Sequence, residues 1–356
     1  MKSAMTLAIA AAAASDGAYA KHQTRPCTTA FTIETYYSID ADIATIHESI
    51  DDDAARAHFL GGIVRLAAHD FMDFAPGSVG PSMGPDGCFD ASHRNNAGLE
   101  TIWCDDGCQL TELHREKYSY IPRADFWIAS ANAVIRQTSL ENALDLMGTF
   151  RWGRSDADSC RGSGDRLPTP ARCSQVERVF LENMGLSWKN TVALLGAHTL
   201  GMGSIDFSGH DGTWVGSIQD AQVFDKQYYA VLLDNTWRMR NQDGPFGSPP
   251  QDWITGDGNQ MMLNTDICLA YDIDVQINNG APCCTYTDYQ CPIPNVADVN
   301  KCPMYSQFDS RRPAMEAVEE FYYGSNGDFY RAFADAWSIA TTVGWNNLRP
   351  LAESCI

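Results

Sequence analysis

The stretch AARAHFLGGIVRLAAHDFMDF, residues 54–74, decides how the rest of this chain is read. Apolar side chains return every three or four positions through Phe59, Leu60, Ile63, Val64, Ala67 and Phe71, which predicts a helix over Asp51–Phe74. Arg65 and His69 stand four apart within it, so both side chains emerge on one face. A neutral imidazole beside a permanently charged guanidinium can take a proton from one oxygen of a peroxide. The guanidinium can then steady negative charge building on the other oxygen. Alone, such a pair is a weak signal, because most Arg-x3-His pairs are surface or core residues with no chemical role.

A second apolar stretch, VALLGAHTLG at 192–201, carries His198, with Gly196 and Ala197 beside it leaving room for a large flat ligand to approach the helix. A lone histidine on an apolar helix is more often a hydrogen-bonded core residue than a metal ligand, so its neighbours must decide. Further helices are predicted over Pro122–Gln137, Ser187–Leu200, Phe224–Arg238 and Asp328–Val343, with loops at Ala75–Gly87, Ser155–Pro170, Asn241–Gly258 and Asn278–Asn300. No series of alternating strands stands out. The expected fold class is mainly α.

The motif order supplies the decision. From about residue 50 to 345 the chain resembles the plant, fungal and bacterial haem peroxidase superfamily. RLAAHD resembles its distal-helix signature and VALLGAHTLG its proximal one. Between and after them, NNAGLE (95–100), RADFWIASANAVI (123–135), FRWGRSDAD (150–158), LPTP (167–170), FDKQYY (224–229) and MMLNTD (261–266) follow in the family's order. The resemblance implies a helical fold whose two lobes sandwich haem b, a distal lobe over about 21–160 and a proximal lobe over about 161–356 of a single domain. It implies that His198 ligates the iron and that Asp266 bonds the other ring nitrogen of His198. His69 is then the acid–base residue, Arg65 its charge-stabilising partner, and Asn96 the acceptor that fixes the His69 tautomer. Asp90 falls where the family often keeps a supporting carboxylate. The implied reaction reduces hydrogen peroxide and then oxidises a donor in one-electron steps. A haem-binding extracellular carrier or matrix protein with lost or reduced turnover is the alternative.

Several positions depart from the pattern. Ala68 stands where the family usually places Trp or Phe before the distal histidine, which opens space above the iron. Trp214, sixteen residues after His198, matches a tryptophan of the intracellular class that stacks near the proximal histidine and in some members holds a radical. Core filling is the plainer reading of that side chain. Secreted members carry two calcium ions. Asp70, the Gly84 carbonyl and Asp86 match part of the distal site, with Cys88 replacing a serine ligand, and Thr199, Ser217, Asp220, the Val223 carbonyl and Asp225 could form the proximal cage. His58 and Gly62 replace the acidic residues of manganese oxidation. Ala193 replaces a surface tryptophan of lignin oxidation, and Phe207 the arginine used for ascorbate. The remaining expectation is a small aromatic donor.

Residues 1–20 read as a signal peptide with an Ala18-Tyr19-Ala20 cleavage site, and the 12 cysteines then read as disulfides of a secreted, extracellular protein. Zinc is the other use of clustered cysteines, but Cys104 with Cys108, and Cys283, Cys284, Cys291 with Cys302, complete no familiar tetrahedral set. Cys104–Cys108 and Cys160–Cys173 are plausible local pairs. The net charge of −20 disfavours nucleic acid and anionic membranes as partners. No segment is long enough to span a bilayer, and no obligatory protein partner is evident.

Overall fold

A computed structural model describes residues 31–77, 84–168, 173–241, 251–273 and 302–352. The predicted signal peptide, the cysteines at 283, 284 and 291, and the loop at 278–300 lie outside the described residues.

The protein is mainly helical. The longer helices are α1 (Ile33–Glu48), α2 (Asp53–Met72), α3 (Arg123–Thr138), α4 (Trp188–Leu195), α5 (Gln227–Asp234), α6 (Arg312–Tyr323) and α7 (Asn326–Ala340). Their starts are written in the sequence. Thr32, Asp52, Ser187 and Ser325 each accept a backbone N–H of the first turn of α1, α2, α4 and α7, and Ser325 forms a capping box with Asp328. Helix α3 packs against both α1 and α2, and α4 packs against α6 and α7. One apolar cluster runs from Phe31 to Ala340 and joins the two groups of helices.

Helix α2 and the segment after His198 meet backbone to backbone at two glycines. A Cβ placed on Gly61 of α2 would lie 2.6 Å from the Gly201 Cα, and Gly201 has φ +82°. Backbone touches backbone there, three residues beyond His198, which fixes the distal helix against the proximal segment.

Three expectations need correction. The helix predicted over Phe224–Arg238 is shorter: it ends at Asp234, Asn235 turns extended, and Trp237–Asn241 becomes strand β1 of a three-stranded antiparallel sheet with β2 (Gln251–Thr255) and β3 (Met261–Met262). Trp237 is fully buried and returns its indole N–H to the Leu232 carbonyl, so burial of the ring decides the chain direction. Strand β2 accordingly occupies part of the loop expected at Asn241–Gly258. The Cys160–Cys173 pairing does not form either. Cys160 bonds Cys88 and Cys173 bonds Cys268, whereas Cys104–Cys108 does form. A disulfide needs Cα atoms about 4.4–6.8 Å apart, and folding brings the distant pairs to 5.2 and 5.4 Å.

Candidate active site

Helix α2 delivers Arg65 and His69 to one side of a cavity, and the short 3-10 segment Gly196–Thr199 that continues α4 delivers His198 to it as well. The walls between are mostly apolar, with Leu194, Leu195, Leu263 and Phe180 among them, and Ala68 and Ala197 also line it. Gly196 does something other than expected. It faces the protein, where a Cβ would come within 2.3 Å of the Tyr229 hydroxyl, so the small residue permits packing of the proximal segment, not approach of a ligand.

On the distal side the His69 Nδ1 is 2.8 Å from Asn96 Oδ1. That amide oxygen can only accept, so Nδ1 carries the proton and Nε2 keeps its lone pair. Asn96 is itself buried and held by its amide N–H, donated to the Asp90 main-chain carbonyl at 3.0 Å. Asp90 therefore supports it through the backbone, while its carboxylate accepts from Ser92. Arg65 donates to the Ala97 and Asn95 carbonyls and, through Nε, to His69 Nε2 at 3.3 Å. Burial, then the Arg65 charge, pushes the His69 pKa down to about 3, so the imidazole is neutral. Burial lowers Arg65 to about 10, which leaves it charged.

The proximal side is built from residues far apart in the chain. His198 Nδ1 donates to Asp266 Oδ1 at 2.8 Å, and Asp266 is fully buried. The Trp214 indole stacks on His198, with centroids 4.6 Å apart and planes 22° apart, and donates to Asp266 Oδ2 at 2.8 Å. The Leu263 N–H reaches the same oxygen at 2.7 Å. Burial opposes ionisation of Asp266, but the adjacent His198 and these hydrogen bonds hold its carboxyl below the ordinary value. With Nδ1 committed, the remaining donor atom of His198 is Nε2. Two imidazoles on one apolar cavity, one with a basic nitrogen backed by a carboxylate and the other beside a guanidinium, fit a haem between them.

The calcium sets fare differently. Asp70 Oδ1 accepts the N–H groups of Asp86 (3.3 Å) and Cys88 (3.0 Å), and Oδ2 that of Gly87 (2.9 Å). The Gly84 N–H turns to Asp73. With amide hydrogens aimed at the carboxylate and the Cys88 sulfur locked to Cys160, the distal set does not fit a cation. On the proximal side Thr199 Oγ1 lies 3.3 Å from both the Val223 carbonyl and Asp225 Oδ1, and Ser217 donates to Asp220 at 2.7 Å. Among the described residues no group of three or more His, Cys, Asp or Glu side chains converges as a metal site.

His58 and Phe207 line the cavity with their rings 5.8 Å apart, and Ala193 is buried in α4. Two features escaped sequence reading. Tyr228, inside FDKQYY, donates its hydroxyl to Asp266 Oδ1 at 2.8 Å. His210, on the cavity wall, bonds Asp252 at 3.0 Å, and Arg240 grips both oxygens of the same carboxylate. Only an alignment of motif to site could have singled out Tyr228, since its ring reads as core.

The family described as Peroxidase matches residues 44–276, well over half of the chain. A mitochondrial cytochrome c peroxidase of Pyricularia oryzae is 32% identical over 276 residues, covering 74% of this chain and 70% of its own length. Those of Neurospora crassa and Candida albicans are 30% and 31% identical, covering 67% and 66% of this chain and 63% and 60% of their own lengths. These relatives are mitochondrial by name, and this overturns the expectation of a secreted, extracellular protein. Among the described residues no helix is long and apolar enough to cross a membrane. The chain belongs to the peroxidase family: it is a haem-dependent peroxidase, an oxidoreductase acting on hydrogen peroxide.

Proposed function

We propose that His69 takes the proton from hydrogen peroxide and returns it to the departing oxygen, that Arg65 steadies the negative charge on that oxygen, and that Asn96 holds the required tautomer. His198 would ligate the iron, with Asp266 strengthening it as a donor. Bound haem would supply the two-electron reduction of peroxide and release its oxidising power one electron at a time. The observation that carries this reading is the commitment of both Nδ1 protons, one to Asn96 and one to Asp266, by imidazoles on the same cavity. It also argues against a haem carrier, which needs neither Arg65 nor a tautomer-fixed His69. Mixing the haem-loaded protein with peroxide and following the Soret band tests it. The expected result is a rapid change that His69→Leu abolishes; an equally fast change in that variant would overturn the role of His69.

For the donor we propose a small aromatic molecule, supported by Ala68, which leaves the cavity wall open above the distal side. A basic redox protein is favoured by a different observation, the net charge of −20 together with Trp214 stacked on His198. Oxidation of a phenol should be nearly indifferent to ionic strength, whereas oxidation of a basic cytochrome should slow steeply with salt. Of the two calcium sets only the proximal one, Thr199, Ser217, Asp220, Val223 and Asp225, is carried forward. Burial raises the Asp225 carboxyl, and a cation would relieve that. A chelator should lower the melting temperature, and an unchanged melting curve would remove calcium from the proposal.

A further inference from the structure

Asp266 is crowded with donors. Its Oδ1 accepts from His198 Nδ1 and from the Tyr228 hydroxyl, both at 2.8 Å, and its Oδ2 accepts from Trp214 and the Leu263 N–H. A carboxylate offers about four acceptor positions, so all of its capacity is taken, with two donors on each oxygen. Tyr228 is fully buried on α5, its ring edge-on to His198 at 6.2 Å and to Tyr229 at 5.1 Å. Packing therefore fixes where its hydroxyl points.

We infer that Tyr228 is a positioning residue that limits the negative charge Asp266 passes to His198, and so raises the reduction potential of the iron that His198 would bind. Each donor on a carboxylate draws charge from it, and the donor that shares Oδ1 with His198 competes directly with it. The Trp214 and Leu263 bonds act on the other oxygen and compete less. Tyr228 thus opposes Asp266: the carboxylate makes the imidazole a stronger donor, and the phenol holds that effect in check. This rests on His198 being the iron ligand.

The test uses the haem-loaded full chain and two readouts besides turnover: the ferric–ferrous midpoint potential and the iron–histidine stretching band of the ferrous protein. Tyr228→Phe removes the hydroxyl and keeps the ring. The expected result is a shift toward the ferric form of up to about tenfold, 59 mV for one electron, with the stretching band moving up. Replacing Tyr228 by 3-fluorotyrosine keeps the ring and strengthens the O–H as a donor, so both readouts should move the opposite way. If Tyr228→Phe fails to load haem, the fluorinated protein decides alone. A purely structural Tyr228 would change the melting temperature and leave both readouts still, which would overturn the inference. A wild-type stretching band that persists in His198→Ala would instead overturn the ligand assignment, and this inference with it.

Discussion

The two histidines of the cavity are the same residue in opposite surroundings. His69 is hydrogen-bonded to a neutral amide; burial first, and then the guanidinium beside it, keep its ring neutral, with Nε2 unprotonated. His198 is hydrogen-bonded to a buried carboxylate, so its ring is electron-rich and suited to hold a metal. The partner of Nδ1, not the imidazole itself, divides proton handling from metal binding. Exchanging or deleting those partners should blur the division.

Deleting the distal base has the largest expected effect. His69→Leu should slow the reaction with peroxide by about 10²–10⁴-fold, measured by stopped flow, while the Soret spectrum of the resting protein survives. Next comes the proximal partner. Asp266→Ala should weaken haem retention or activity by about 10–100-fold, read by haem transfer to an apo acceptor protein. Wild-type retention in that variant would mean that the carboxylate does not tune His198.

Making the distal side resemble the proximal one is a finer test. With a folded pKa of about 3, His69 remains a base far into acid, so the peroxide rate should be flat from neutral pH and fall only as pH approaches 3. Asn96→Asp puts a carboxylate on Nδ1, favours the imidazolium and should move that fall upward by about one to three units. The same depression has a stability consequence. Between the ordinary value of 6.5 and about 3 the unfolded chain binds one more proton here than the folded chain, so this group makes stability decline as pH drops through that window. Asn96→Asp should narrow the window, measurable as melting temperature against pH.

The distal half was readable because its chemistry is local. Arg65 and His69 share one helix turn, and Asn96 follows in a motif of its own. The proximal half joins residues 198, 214, 228 and 266, which meet only through the sheet and helix α5, so motif order could find His198, Asp266 and Trp214 but not the hydroxyl of Tyr228. The disulfides behaved likewise. Cys173–Cys268 spans 95 positions and ties the segment bearing Asp266 to the other end of the proximal region, which spacing along the chain cannot announce. Helices α1 and α6 were missed although both are amphipathic in the structure, because no motif marked them. The expected extracellular address fails by a different route: a short apolar run does not fix where a protein goes, and the relatives are mitochondrial by name.

The smallest effect expected is also the most specific. Ala68 precedes His69 on α2 and lines the cavity, half-buried, whereas its neighbour Ala67 is fully buried in the core. An indole at position 68 would therefore project into the cavity without displacing the helix packing. Hydrogen peroxide is small enough to pass it freely, whereas an aromatic donor would be hindered. Ala68→Trp should leave the peroxide rate nearly unchanged and raise KM for the aromatic donor by about threefold, with less effect on kcat. If the aromatic donor and peroxide respond equally, the open wall at Ala68 sets no substrate range, and the distal cavity differs from the proximal pocket only in its hydrogen bonds.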